Sequence, residues 1–419
     1  MTSETRQPVR QSRCRFCDAP LDATFVDLGL SPLCESFVLA SALNDPETFY
    51  PLHVYVCGEC FLVQLEEFVP PEEIFREYAY FSSFSDSWLA HARSYVESIS
   101  QRLALDQESQ VVELASNDGY LLQYFVERDI PVLGIEPAAN VAKVAEERGI
   151  ETLVEFFGAD LAAKLVDGGL RADLVIGNNV LAQVPDINDF VAGIAAILGQ
   201  TGVVTMEFPH LARLVEENQF DTIYHEHFSY FSLGTARRIF AAHGMTLFDV
   251  DQIATHGGSI RIYARHDADD SKPVSQRVAS LLRHEQEQGL DTLAYYRTFT
   301  EKAQKVRYDL LEFLIDAKRA GKRVAGYGAP GKGNTLLNYC GIRPDLLEFT
   351  VDRSTYKHGR YLPGTRIPIH EPSQIFEARP DYVLILPWNI KDEIMEQMSE
   401  IAEWGGRFVV AIPELQVLG

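Results

Sequence analysis

Basic charge is what this chain most lacks. Against 60 acidic residues stand 37 lysines and arginines, a formal net charge of −23 over 419 residues. Broad binding to nucleic acid or to an anionic membrane needs a basic surface, so neither is expected as the main activity; a local basic pocket remains open. No apolar run is long enough to span a bilayer. The opening stretch, MTSETRQPVRQSR, has no apolar signal core, and the cytoplasm is the expected compartment. Low-complexity segments and a convincing residue-level repeat are also absent. So are the H-E-x-x-H of zinc proteases, the P-loop G-x-x-x-x-G-K-[ST], and a G-x-G-x-x-G at the first α/β turn.

Cysteine is scarce but patterned. Four of the six cysteines form two C-x2-C pairs, Cys14-Arg-Phe-Cys17 and Cys57-Gly-Glu-Cys60, about forty residues apart. In a reducing compartment such pairs read as a zinc site rather than as disulfides. Each pair offers two thiolates at adjacent tetrahedral corners, and two pairs close the sphere, so the site is expected to be structural. Cys34 and Cys340 are isolated.

The stretch Gln110–Leu122, QVVELASNDGYLL, carries the first functional signal. It reads as a buried strand, a tight turn at Asn117-Asp118-Gly119, and an apolar helix start. A doubly wound sheet binds an adenosine cofactor at such a turn. Glu136 follows a second strand by the spacing at which ribose hydroxyls are held. A turn without the dinucleotide glycines suits a cofactor without a pyrophosphate, and S-adenosylmethionine is the common one.

The class expected is α/β throughout. Strands are predicted at Val111–Ala115, Val132–Glu136, Asp173–Asn178, Gly202–Phe208, Leu247–Ile253 and Ser259–Arg265, with helices between them. Thr292–Ala320 has the pattern of one long helix. A second α/β unit follows, with strands at Arg323–Tyr327, Phe349–Asp352, Tyr382–Leu386 and Phe408–Ile412. It opens on the glycine-rich turn Gly326–Gly333. Close backbone approach, a helix start and Lys332 suggest phosphate binding there, helped by Asn334, Thr335, Arg353, Lys357, His358 and Arg360 at neighbouring strand ends.

The densest polar and aromatic cluster is Tyr224-His-Glu-His-Phe-Ser-Tyr230. If extended, Tyr224 and Glu226 share one face and His225 and His227 the other; a turn would let them converge differently. Histidine and tyrosine can move a proton near neutral pH. The plain alternative is a loop whose imidazoles satisfy backbone groups.

Taken in order, CRFC…CGEC, EYAYFSSFSDSW, VVELASNDGYLL, YHEHFSYFS, HGGSIR, GYGAPGKGNTLLN and LPWN make nearly the whole chain resemble the sugar C-methyltransferases acting on nucleotide-linked 4-keto-deoxysugars. The resemblance implies a zinc-binding domain over 1–75, a class I (Rossmann-like) S-adenosylmethionine domain over 76–267, and a C-terminal α/β domain over 268–419 that helps grip a nucleotide sugar, dTDP-linked. It implies methyl transfer to C3 through an enolate. Mapped onto this sequence, His227 is the base, Tyr224 the enolate-side donor or alternative base, and Glu226 the group that orients them. Tyr78 or Tyr80 closes over the site. Cofactor contacts fall to Glu113, Ala115, Asn117, Asp118, Gly119, Glu136, Asn178 and Asn179. Substrate contacts fall to His256, Gly257, Ser259, Arg261, Tyr327, Lys332, Asn334, Thr335, Arg353, Lys357, Trp388 and Asn389.

The chain departs from the family where Gln183 replaces a histidine beside the sugar. Glutamine exchanges hydrogen bonds but takes up no proton, so Gln183 is expected to bear on substrate choice. Competing readings are an O- or N-methyltransferase, a non-catalytic nucleotide-sugar binder, and, more weakly, an NAD enzyme using Gly326–Gly333. Oligomeric state is left open.

Overall fold

A computed structural model of the chain describes residues 12–75 and 81–419. Tyr78 and Tyr80 lie outside the described residues.

The middle of the chain builds a seven-stranded sheet. Its strands are Val111–Leu114, Val132–Ile135, Thr152–Leu153, Ala172–Asn178, Leu198–Pro209, Met245–Ile253 and Ser259–His266. Numbered along the chain, their spatial order is 3-2-1-4-5-7-6. The first five are parallel, and the last two run antiparallel to their neighbours. The first strand, VVEL, is buried at every position, as a strand covered on both faces requires. Helix Ile187–Ile197 starts where the Asp186 carboxylate accepts the Asp189 amide at 2.9 Å, a side-chain N-cap. This is the class I, Rossmann-like arrangement, with Thr152–Leu153 added to the predicted strands. Such sheets bind ligands beyond the carboxyl ends of the strands where the order reverses, here between the first and fourth strands.

A second doubly wound sheet lies C-terminal. Strands Val324–Tyr327, Thr350–Val351, Ile369–His370, Tyr382–Ile385, Arg407–Val410 and Gln416–Leu418 take the order 3-2-1-4-5-6, all parallel but the last.

The cysteine-bearing segment is less independent than its sequence suggests. Ala23–Ser31, Tyr50–Val56 and Val63–Leu65 form an antiparallel sheet whose fourth strand, Ser229–Tyr230, comes from just beyond the His-Glu-His cluster. Phe25, Val54 and Leu65 share one apolar core with Tyr296, Phe299 and Leu337 of the C-terminal unit. Phe25 stacks on Phe299 at 4.5 Å and meets Tyr296 edge-on at 5.9 Å. These anchors sit on either side of Thr298, where the helix expected over Thr292–Ala320 divides into Leu293–Arg297 and Phe299–Arg319. The Thr298 hydroxyl bonds back to the Tyr295 carbonyl at 3.4 Å, a contact that bends helices. Helix Gln276–Gln288 packs on the middle sheet, burying Val278 and Leu281 against it. No helix among the described residues is long and apolar enough to cross a membrane.

Candidate active site and metal centre

The four predicted cysteines converge. Sγ of Cys14 lies 3.5 Å from Sγ of Cys60, Cys17 lies 3.5 Å from Cys57, and all four sulfurs fall within 4.8 Å of one another. A tetrahedron with ~2.3 Å metal–sulfur bonds has edges of about 3.8 Å, so one zinc fits. The two knuckles repeat one backbone design. Asp18 N bonds to Cys14 O and Phe61 N to Cys57 O, at 2.9 and 3.1 Å. Asp18 and Phe61 both take the left-handed conformation. Gln64 Nε2 donates to Cys14 Sγ at 3.2 Å as an outer-shell support.

At the carboxyl ends of the first and fourth strands of the middle sheet, the backbone is strained. Ala115, Asn117 and Asn179 have φ of 55°, 50° and 58°, which costs a residue with a Cβ about 1–2 kcal/mol. Five buried oxygens there have no hydrogen-bond partner among the described residues: Glu113 Oε2, Ser116 Oγ, Asp118 Oδ1, Asn178 Oδ1 and Asn179 Oδ1. Orphaned polar atoms at a sheet's switch point are what a polar cofactor would satisfy. Burial, with Glu136 and Asp118 nearby, pushes the Glu113 carboxyl far up.

Several residues mapped to the cofactor also fasten the turn. Glu136 accepts the amides of Asn117 (2.9 Å) and Ala138 (2.8 Å). The Asn117 side chain accepts the Ser82 amide at 2.9 Å. Asp118 takes the Ser83 hydroxyl and faces Arg148. A methyl on Gly119 would meet Ile150 at 2.4 Å.

The His-Glu-His cluster is a turn, with His227 N bonded to Tyr224 O at 2.9 Å. The turn packs Tyr224 against His227, with ring centres 4.2 Å apart and the planes tilted by 34°. His227 Nδ1 donates to the Thr222 carbonyl at 3.1 Å, which leaves the lone pair on Nε2. Burial first, then His256 and Lys332, push this imidazole down to about 4, so it is neutral at neutral pH. His225 Nε2 lies 3.1 Å from the Pro51 carbonyl and ties the turn to the N-terminal sheet.

Glu226 does not orient His227, contrary to expectation. It accepts from Cys34 Sγ at 3.4 Å on the opposite side of the turn. Burial and the neighbouring Glu35 push its carboxyl up to about 8. Gln183 closes the short helix Leu181–Gln183. That helix touches the turn directly, because Phe228 N donates to Ala182 O at 2.7 Å.

Around His227 two units meet. Trp388 Nε1 donates to Asp221 Oδ2 at 2.8 Å, and Lys332 Nζ lies 4.8 Å from the Trp388 ring centre. Lys332 donates to Asn389 Oδ1 at 2.6 Å. A methyl on Gly257 would come within 2.5 Å of Trp388. His256 Nε2 lies 3.2 Å from Asn179 Nδ2. Sequence reasoning named Arg261 as a substrate contact but missed Asp221 and the buried Glu207, which takes His91 (3.0 Å), Arg261 (2.5 Å) and Thr255 (2.9 Å). Burial opposes ionisation of Glu207, yet His91 and Arg261 hold its carboxylate down to about 2. Trp88, inside the quoted EYAYFSSFSDSW motif, stacks on His91 and Tyr120 at 5.0 and 5.9 Å.

The remaining predicted residues scatter. Arg261 is committed to Glu207, and Ser259 Oγ to Thr255 O at 3.0 Å. Asn334 and Thr335 are buried, bonded to the carbonyls of Cys34 and Ile223. Tyr327 reaches Gln397 at 3.4 Å. Arg353 pairs with Glu393 at 3.6 Å on the surface, and Lys357 bonds Ala329 O at 2.9 Å. The cradle expected at Gly326–Gly333 is largely filled by protein. Asp352 takes the Ala329 amide at 2.7 Å. A Cβ on Gly328 would meet Pro387 at 2.5 Å, and one on Gly331 would meet Cys34 Sγ at 2.9 Å. Close packing accounts for those two glycines without a phosphate.

Three family models match the chain: a zinc binding domain over 14–75, a methyltransferase domain over 88–250, and a C-methyltransferase C-terminal domain over 254–413. The C-methyltransferase NovU of Streptomyces niveus is 38% identical over 405 residues, covering 97% of this chain and 96% of that protein. Two solved structures match parts of the fold. Magnesium protoporphyrin IX methyltransferase from Synechocystis PCC 6803, with bound SAM, is 14% identical, covers 48% of this chain and 99% of its own, and has a TM-score of 0.35. The CcbJ methyltransferase of Streptomyces caelestis is 13% identical, covers 42% and 90%, and scores 0.35. Scores this low add nothing to the assignment, which rests on the domain matches and the full-length relative. The four-thiolate cluster is a structural zinc site, the switch-point crevice belongs to an S-adenosylmethionine domain, and the chain belongs to the C-methyltransferase family.

Proposed function

We propose that this enzyme methylates a carbon next to the C4 ketone of a nucleotide-linked 4-keto-deoxysugar, with dTDP as the nucleotide. The resemblance assigns C3. The ketone acidifies C5 by the same route. S-adenosylmethionine, when bound, supplies an electrophilic methyl group. Every other demand falls on the chain: a base for the C–H proton, donors for the oxygen that becomes an enolate, and two substrates held close.

The observation that carries this reading is the state of His227. Its Nδ1 is committed to Thr222 and its ring is neutral, so Nε2 is a fixed acceptor for a proton. Tyr224 packs against it and can donate to the substrate oxygen. A methyltransferase acting on oxygen or nitrogen has no need to remove a carbon-bound proton. Gln183, next to the turn, is suited to choosing among sugars. The C-terminal unit would grip the nucleotide sugar beyond this point, and the zinc module would hold the turn in place through Ser229–Tyr230.

Deuterium exchange tests the reading. The enzyme is incubated in D2O with S-adenosylhomocysteine and a dTDP-linked 4-keto-6-deoxyhexose, and NMR follows loss of the protons flanking the ketone. Exchange that disappears in His227→Gln supports the enolate route. Methyl transfer without any exchange in wild type points to an O- or N-methyltransferase.

A further inference from the structure

We propose that Lys332 is a catalytic residue, its ammonium binding the ketone oxygen and neutralising it as the enolate forms. This rests on the ketosugar reading above and gives the glycine-rich loop's lysine a task other than phosphate binding.

The geometry places Lys332 at the seam between the two α/β units. It stands in the first turn of helix Gly331–Cys340, over the face of Trp388. Trp388 reaches one way to Asp221, which adjoins Thr222, the residue that fixes His227. The indole packs the other way on Gly257, next to His256. His256 in turn touches Asn179 at the cofactor crevice. Lys332 is thus half-buried at this seam, close enough for its charge to act on both His227 and His256. Arg353 and Lys357 are paired elsewhere.

Its charge is not spent on a carboxylate. The hydrogen-bond acceptor it has is the neutral amide of Asn389, and among the described residues no carboxylate lies within 4 Å of its nitrogen. An ammonium has three donors, so two remain. Desolvation lowers the proton affinity of this half-buried ammonium, and Asp221, buried and with Oδ1 unpartnered, is the more distant counter-charge that works against that loss. The positive field reaches His227 and His256 and helps keep both imidazoles neutral. A substrate oxygen that gains charge beside Lys332 offsets this field, so His227 becomes more basic as the proton moves to it.

The step balances without another reactant. The α-carbon gives its proton to His227 Nε2, and the C–H pair becomes the C=C bond. The carbonyl π pair moves to oxygen beside Lys332. The C=C pair then forms the carbon–methyl bond, the oxygen pair returns to re-form the ketone, and the leaving sulfur keeps the pair of the bond that breaks.

The test uses full-length enzyme and a dTDP-linked 4-keto-6-deoxyhexose. Wild type must first show α-proton exchange and methyl transfer; if it shows neither, the ketosugar reading fails and Lys332 is not at issue. Given that activity, Lys332→Ala should lose about 100-fold or more in both exchange rate and kcat, with sugar-nucleotide affinity changed less than about threefold. Added ethylammonium should restore part of the exchange, which a misfolded protein could not show. Lys332→Arg should be intermediate. A variant that exchanges at the wild-type rate while binding the nucleotide sugar tenfold or more weakly would overturn the proposal in favour of a phosphate contact.

Discussion

His227 Nδ1 lies 3.1 Å from the carbonyl oxygen of Thr222, and that one bond decides which nitrogen of the ring can act. The donor is committed to the backbone, so the acceptor is Nε2.

Replacing the ring removes the acceptor. His227→Gln should lower methyl transfer about 100-fold to 10,000-fold, while S-adenosylmethionine binding, measured by calorimetry, stays within a few-fold. Loss of cofactor binding in step with activity would mean that the ring serves structure alone.

Glu226 offers a pH signature. Its carboxyl sits at about 8 in the folded chain, raised by burial and by Glu35, against about 4.3 when unfolded. Between those values the folded state holds a proton that the unfolded state has released, so stability falls as pH rises, by up to about 1.4 kcal/mol per unit. Below the lower value both states are protonated and this contribution is flat. Glu226→Gln, compared by urea denaturation at pH 5.5 and 7.5, should show a shallower loss than wild type. Identical slopes would place the proton elsewhere.

Gly257 should tolerate no side chain. Its φ is +89°, and a methyl would strike Trp388 at 2.5 Å. Gly257→Ala is expected to displace the indole from Asp221, raise the apparent KM for the sugar several-fold and quench or shift Trp388 fluorescence. Unchanged kinetics would show that the indole is free to move aside.

How much of this was legible in the sequence depends on how local each feature is. The cysteine knuckles are local, and so is the turn after Val111–Leu114, where a mostly apolar run is followed two residues on by Asn117-Asp118-Gly119. The His-Glu-His cluster was visible as a dense patch, but its partners were not. Successive residues of a turn diverge, so Glu226 faces Cys34 although it adjoins His227 in the chain. Asp221 sits three residues ahead of Tyr224 and gave no signal until Trp388, far away in sequence, came to it. Glu207, His91 and Arg261 lie on three separate elements. Ser229–Tyr230 is too short for a pattern, yet it completes the zinc module's sheet. The glycines of Gly326–Gly333 suggested a phosphate because close approach to a ligand and close approach to Pro387 or Cys34 require the same residue.

Zinc removal should therefore reach beyond the cysteines. The module's sheet shares its core with the C-terminal unit through Phe25, Tyr296 and Phe299. Cys57→Ser, or chelation, is expected to release about one zinc per chain and lower Tm by several degrees, in line with loss of a structural metal. It should also weaken methyl transfer, because Ser229–Tyr230 anchors the His227 turn. Full activity in metal-free protein would separate the two.

The central claim is carbon methylation beside a ketone, and one product analysis meets it directly. The enzyme is given S-adenosylmethionine carrying a 13C-labelled methyl group and a panel of dTDP-linked 4-keto-6-deoxyhexoses, and the product is read by two-dimensional NMR. The expected result is a labelled methyl bonded to carbon at C3, or at C5, the other position flanking the ketone. A labelled methyl on oxygen or nitrogen, or no transfer to any ketosugar by enzyme that binds the cofactor, would contradict it.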